Sequence, residues 1–219
     1  MKQLQIKQIK ALSFTDDWKI KAETMLKEAV QGSVDTVNWE AYPYRPEVKF
    51  YLAWTDASFF LLFDVHEDSI RAVNTGYHSP VYEDSCVEFF FQHVGADVYR
   101  NFEFNCIGTA LSAIRESRTS FFHLPSKVMD KILIHTSLPQ EPIIKDSPVH
   151  WQILVEIPLE LLGFSQTDPT TTALRANFYK CGDKTLVPHF LSWNPIPTTQ
   201  PDFHRPEYFG EIRFVRAES

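Results

Sequence analysis

The sequence predicts an all-β protein: an antiparallel β-sandwich with one N-terminal helix and short helical turns. Three observations carry that expectation. Runs of aromatic and β-branched residues recur from Val48 to Val215 with period-two alternation, the pattern of strands that bury one face. The gaps between them are short and rich in turn residues, which suits hairpins and leaves no room for the crossover helices of a parallel sheet. Only one long segment shows helical spacing. The 219 residues are enough for a substantial core, and no internal repeat or linker divides them. A single domain over 1–219 follows, with 1–36 a less distinctive N-terminal extension.

The elements can be taken in order. Thr15 to Val30 is the helical candidate: Asp16 or Asp17 can cap it, and Trp18, Ala22, Met25, Leu26 and Ala29 fall on one face. NWEAYPYRPEV follows, held extended by Pro43 and Pro46. Val48 to Thr55 and Ser58 to His66 then read as a hairpin around a short TDA turn. Cys86 to His93 and Val98 to Ile107 flank a turn containing Gly95 and Asp97, and Thr109 to Arg115 continues after Gly108. Lys131 to Thr136, Val149 to Ile157, Ala173 to Cys181, His189 to Trp193 and Phe209 to Val215 complete the strands. Pro158 ends one of them, and LELLG gives a helical turn stopped by Gly163. Arg115 to Lys131 and Pro139 to Pro148 read as loops. In the first, SRTSFFH places two adjacent phenylalanines poised to fold back over the core.

Composition narrows the function classes. The formal net charge is -7, which argues against binding nucleic acid through phosphate neutralisation. No run approaches the roughly 18 apolar residues of a membrane helix. MKQLQIKQIKALSFTDDW has no uninterrupted apolar core of a signal peptide. The chain as written is therefore expected in the cytoplasm, and in the periplasm or outside the cell if a leader has been removed. The three cysteines, Cys86, Cys106 and Cys181, lack CxxC spacing and sit in apolar strands, as buried free thiols do. HExxH, GxSxG, P-loop and GxGxxG sequences are absent.

Two stretches carry candidate chemistry. In VYEDSCVEFFFQ and YRNFEFNCIG, alternation sends Val87, Phe89, Phe91, Phe102 and Phe104 to one face and Glu88 and Glu103 to the other. A turn centred between Gly95 and Ala96 sets Glu88 directly across from Glu103. Facing carboxylates repel unless a cation, a shared proton, an arginine or ligand hydroxyls compensate. A solvated acidic face is the plainer alternative. The pair also invites comparison with a glycosidase's acid and base, although flat sheet faces more often bind than cleave. In the C-terminal third, PDFHRPEYFGEI surrounds His204 and Arg205 with aromatics. Exposed rings beside polar groups are how proteins hold sugars. Trp193, Phe178 and Phe209 fall in strands and read as core, whereas Phe203 and Tyr82 fall in loops. Asp64, His66 and Asp68 in DVHED would share a strand face that suits a metal, or would simply be a polar strand end.

These segments, with WTDASFFLLFDVHED, WQILVEIPLELLG, RANFYKCGD, LSWNP and FHRPEYFGEIRF, resemble the family 9 carbohydrate-binding modules of the DOMON-like superfamily, in particular an uncharacterised bacterial branch. The likeness runs from about Trp39 to Phe214. It implies a non-catalytic β-sandwich in which two aromatics clamp a terminal sugar and polar side chains read its hydroxyls, in carbohydrate catabolism. On that alignment Tyr82 and Phe203 take the clamp positions, Glu88 matches the sugar-binding acid, and Tyr179 falls near an amide-bearing residue. Glu103 stands where the characterised module has an arginine, and neither clamp residue is Trp. The resemblance also implies calcium, with no ligands assigned here. The expected carbohydrate-binding residues are thus Tyr82, Glu88, Glu103, Tyr179 and Phe203, with a sugar or glycan as partner and no catalytic residue. The alternatives are a glycoside-processing enzyme using Glu88 and Glu103, or a cytoplasmic small-ligand sensor on the same sandwich.

Overall fold

A computed structural model of the chain describes residues 1–165 and 167–217. It opens with strand β1 (Gln3–Lys7) and helix α1 (Trp18–Glu28), followed by β2 (Val30–Ser33) and β3 (Thr36–Val37). The long hairpin β4 (Glu47–Trp54) and β5 (Ser58–Glu67) precedes the short β6 (Ile70–Ala72). Then come β7 (Cys86–His93), β8 (Tyr99–Asn105), β9 (Ala110–Arg115), β10 (Phe121–His123) and the single helical turn α2 (Ser126–Met129). β11 (Leu133–Thr136), β12 (Ile143–Lys145), β13 (Val149–Pro158), β14 (Leu174–Cys181), β15 (Phe190–Ser192) and β16 (Gly210–Val215) complete the chain.

Two sheets pack face to face. The nine-stranded sheet runs β1-β16-β14-β7-β8-β9-β10, with β15 pairing β14 and carrying β3. The five-stranded sheet runs β11-β13-β5-β4-β2. Pairing is antiparallel except where β1 joins β16 in parallel. Alternation decides what fills the space between the sheets. Val87, Phe89, Phe91, Phe102 and Phe104 point inward against Phe50, Phe59, Leu61, Phe63, Ile153 and Val155. Phe50 stacks on Phe178 at 4.0 Å and Phe59 on Phe89 at 5.2 Å. Each such ring contributes on the order of 2–3 kcal/mol by leaving water. Trp193, Phe178 and Phe209 are core, as their strand positions predict.

Part of the outer face of the smaller sheet is covered by α1. Asp17 caps the helix by accepting from the Lys19 N–H. Ala22 and Met25 pack on Tyr51, Ala53, Phe60, Leu62 and Leu154, while the Lys21 ammonium reaches Glu156 at 2.6 Å. The helix ends earlier than its spacing predicts, because Ala29 turns extended and Val30–Ser33 pair with β4. Leu26, expected on the packed face, is exposed.

The two stretches predicted as loops contain structure. Phe121–His123 add to β9, and Ile143–Lys145 pair with β6. Three-residue strands are too short to display a period. Phe122 does not fold over the core: it is 75% exposed. Phe121 instead lies beneath the Arg115 guanidinium, 4.3 Å from its ring centroid. One end of the sandwich interior holds an ion pair that alternation alone does not reveal. Lys180, inward-facing because Tyr179 faces outward, reaches Glu67 at 3.0 Å with both side chains fully buried. Trp151 Nε1 donates to the same carboxylate at 2.8 Å, and His189 Nε2 lies 2.8 Å from the ammonium. All three cysteines are buried free thiols.

Candidate functional site

The outer face of the nine-stranded sheet forms the floor of an open cleft of about 780 Å³. Residues of β7, β8 and β9 that alternate away from the core supply that floor: Glu88, Glu103 and Leu111. The register is the one the turn at Gly95 predicts, with Glu88 paired to Glu103. Loops raise the walls, bringing Tyr82, Asp183, Phe203 and His204 to one side of the floor or another, with Phe190 from β15 and Phe121 and His123 from β10.

Both carboxyls are almost fully buried. Glu88 Oε1 accepts from the Cys181 thiol at 3.2 Å, and Glu103 Oε1 accepts from Asn101 Nδ2 at 2.7 Å. The second oxygen of each, Oε2, has no protein partner. Burial drives Glu88 well above the usual carboxyl range, helped by Cys181 and by Glu103 itself. Burial also pushes Glu103 up to about 7, against the opposing pull of Arg115 and Asn101. Asp183, above the same cleft, is raised to about 6 by burial and by Glu83. Both shifts favour the protonated form of the pair, and a protonated carboxyl both donates and accepts. Facing carboxyls are tolerated here through a proton and a neighbouring cation, two of the compensations the sequence leaves open.

The cation is Arg115, which the sequence does not single out. Its Nε donates to Asn101 Oδ1 at 2.7 Å, so a relay runs from guanidinium to amide to Glu103. The signal was present as alternation: Leu111, Ala113 and Arg115 share the face of Glu103 across the β8–β9 register. Phe190, His123 and Asp183 were also missed, because a loop and short strands bring them in, whereas His204 stands out among the aromatics of PDFHRPEYFGEI. His204 is held neutral, its basicity lowered by burial to about 3, with Nδ1 2.9 Å from the Tyr99 hydroxyl.

The expected sugar-contacting residues divide. Tyr82 is 40% exposed and stands on the cleft wall. Its backbone is fixed: its carbonyl accepts from the Asp183 N–H at 3.1 Å. The fully buried Asp84 two residues on accepts from the Val73 and Asn74 N–H groups, from Asn105 Nδ2 at 2.9 Å and from Arg71. Phe203 lines the cleft too, but it is not the exposed loop aromatic its position after Pro201 predicts. It is 8% exposed, because its ring lies flat on Tyr179 at 4.2 Å and 6°. Tyr179 is likewise corrected: fully buried, it donates its hydroxyl to the Phe203 carbonyl at 3.1 Å and presents no polar atom to the cleft. It supports Phe203 from below.

Two clusters among the described residues bring three potential metal-ligating groups together: Asp64 with His66 and His150, and Cys86 with Glu88 and Cys181. Asp68 is not part of the first; its backbone N–H is tied to the Tyr44 hydroxyl. Neither donor set matches calcium, which takes six to eight oxygens. In the second cluster burial pushes both thiols up, Cys86 to about 12, and the Cys181 thiol donates to Glu88.

Residues 20–214 match the family model of carbohydrate-binding family 9. Among solved structures, a candidate carbohydrate-binding protein of Bacteroides uniformis ATCC 8492 is 33% identical with a TM-score of 0.88, over 98% of this chain and 99% of that one. A family 9 carbohydrate-binding module of Caldicellulosiruptor kristjanssonii in complex with glucose shares the fold at 13% identity and a TM-score of 0.60, over 99% of this chain and 97% of that one. The same organism's module in complex with cellotriose does so at 12% identity and 0.60, over 99% and 95%. No curated protein matches the chain.

Proposed function

Because the chain belongs to carbohydrate-binding family 9, we propose that the cleft over the nine-stranded sheet is a non-catalytic sugar-binding site serving carbohydrate catabolism. The observation that carries this reading is the pair of buried, partnerless oxygens, Glu88 Oε2 and Glu103 Oε2, at the base of an aromatic-walled cleft. An unsatisfied buried acceptor costs about 1–3 kcal/mol, and sugar hydroxyls arriving from above recover it. Tyr82 and the exposed edge of Phe203 cover the apolar faces of the ring. The volume of about 780 Å³ suits a monosaccharide or the end of a short glycan. Tyr82 is held in place before the ligand arrives, which lowers the ordering cost of binding.

The arrangement speaks against glycoside cleavage. Glu88 and Glu103 are side by side on one floor, so both approach a sugar from the same side, whereas glycosidase carboxyls flank the scissile bond. Calorimetric titration against a panel of mono- and oligosaccharides, with and without calcium, tests the proposal. Heat is expected with at least one sugar, with Tyr82→Ala weakening it by about tenfold or more, the scale of one lost aromatic contact. No heat from any sugar refutes it. Turnover of a chromogenic glycoside that Glu88→Gln abolishes would establish the enzyme instead.

A further inference from the structure

The opposite side of the sandwich carries a cluster that sugar binding does not use. Along β5, Phe63 and Val65 point into the core, so Asp64 and His66 emerge on the outer face of the five-stranded sheet. On the neighbouring β13, His150 lies directly across from His66 and Gln152 across from Asp64. The two imidazoles stack with centroids 4.1 Å apart and planes 5° from parallel. His150 Nε2 is 2.6 Å from Asp64 Oδ1, and Gln152 Nε2 donates to that same oxygen at 2.9 Å. One ligand atom from each of Asp64, His66 and His150 falls within 4.8 Å of the other two.

We propose that Asp64, His66 and His150 form a divalent transition-metal site that takes Zn²⁺. Zinc binds imidazole nitrogen and carboxylate oxygen at about 2.0–2.2 Å, so its ligands stand a little over 3 Å apart. The three groups reach that spacing by side-chain rotation alone, since paired strands fix their backbones. Two imidazoles with one carboxylate are a borderline-soft donor set, suited to zinc and its transition-metal neighbours over calcium or magnesium. Gln152 supplies the hydrogen bond that orients the ligating carboxylate. The half-exposed His150 leaves an entry path and open coordination positions toward solvent. Lys49, across from Asp64, is neutralised by Glu47 at 2.7 Å. Glu47 in turn lies across from His66, within the same row.

The experiment is calorimetric titration of the full chain with zinc chloride in a non-coordinating buffer, with Co²⁺ as a spectroscopic reporter. One zinc per chain is expected, together with tetrahedral Co²⁺ absorption. His66→Ala and His150→Ala should each weaken binding by about tenfold or more, as loss of one ligand does. Both residues are exposed, so the variants are expected to keep the fold, which far-UV circular dichroism checks. Three results overturn the proposal: no zinc binding below about 1 mM, binding unchanged in both histidine variants, or binding lost only in Cys181→Ser, which would put the metal at the thiol cluster. The sugar titration is run in parallel and is expected to be indifferent to zinc.

Discussion

Glu103→Gln is the most informative single substitution. The amide keeps the oxygen that accepts from Asn101 and removes the ionisable group. Burial raises this carboxyl from its usual 4.5 to about 7. Below pH 4.5 it is protonated in both the folded and unfolded chain and contributes no difference. Between 4.5 and 7 the unfolded chain releases the proton while the folded chain keeps it, so stability falls by about 1.4 kcal/mol per pH unit. Above 7 both states are ionised and the accumulated deficit, over the 2.5 pH units between 4.5 and 7, is about 3 kcal/mol. The glutamine variant carries no such deficit. Relative to wild type it should gain about 3 kcal/mol between pH 4.5 and pH 8, or about 6–12 °C in midpoint temperature for a chain of this size. Urea and thermal unfolding of both proteins across that range measure it. A wild-type-to-variant difference that stays flat with pH would show that Glu103 ionises normally, and the buried-pair account of the cleft floor would fall with it.

Two further substitutions test the scaffold. Lys180→Met strands the Glu67 carboxylate in the sandwich interior, and a loss of about 3–5 kcal/mol is expected by urea unfolding. Adding Glu67→Gln should restore part of it, and a single-variant loss under about 1 kcal/mol would contradict the pairing. Gly32→Ala would place a Cβ 2.2 Å from Phe50 Cζ. That ring is pinned by Phe178 at 4.0 Å and cannot step aside, so overpacking of about 1–3 kcal/mol is expected. An unchanged denaturant midpoint would show that the ring yields.

Legibility followed the range of the interactions. The long hairpin of β4 and β5, the β7–β8 register and the core face carrying Phe89, Phe91, Phe102 and Phe104 were all readable, because period-two alternation is local and a one-residue slip would invert every side chain. The facing of Glu88 and Glu103 came from the same logic with one glycine turn added. The third cross-strand partner, Arg115, was readable in principle by extending the alternation to β9. The short strands Phe121–His123 and Ile143–Lys145 were not, since their pairing is supplied by neighbours distant in sequence.

The aromatic residues show the division most plainly. Alternation by itself determined that most phenylalanines are core and that Tyr82 and Phe203 sit outside the strands. Only the tertiary structure separated those two. Tyr82 stays half-open because its loop is tied down through its backbone and through Asp84. Phe203 is drawn onto Tyr179, which alternation had placed on the sheet's outer face without revealing what would cover it. Likewise, the sequence put Asp64 and His66 on one face, but the partner across from them was set by strand order, which made it His150 and not Asp68. Local pattern fixes which way a side chain points. What it meets there depends on which strands and loops the whole chain brings alongside, through contacts separated by tens of residues that no local period encodes.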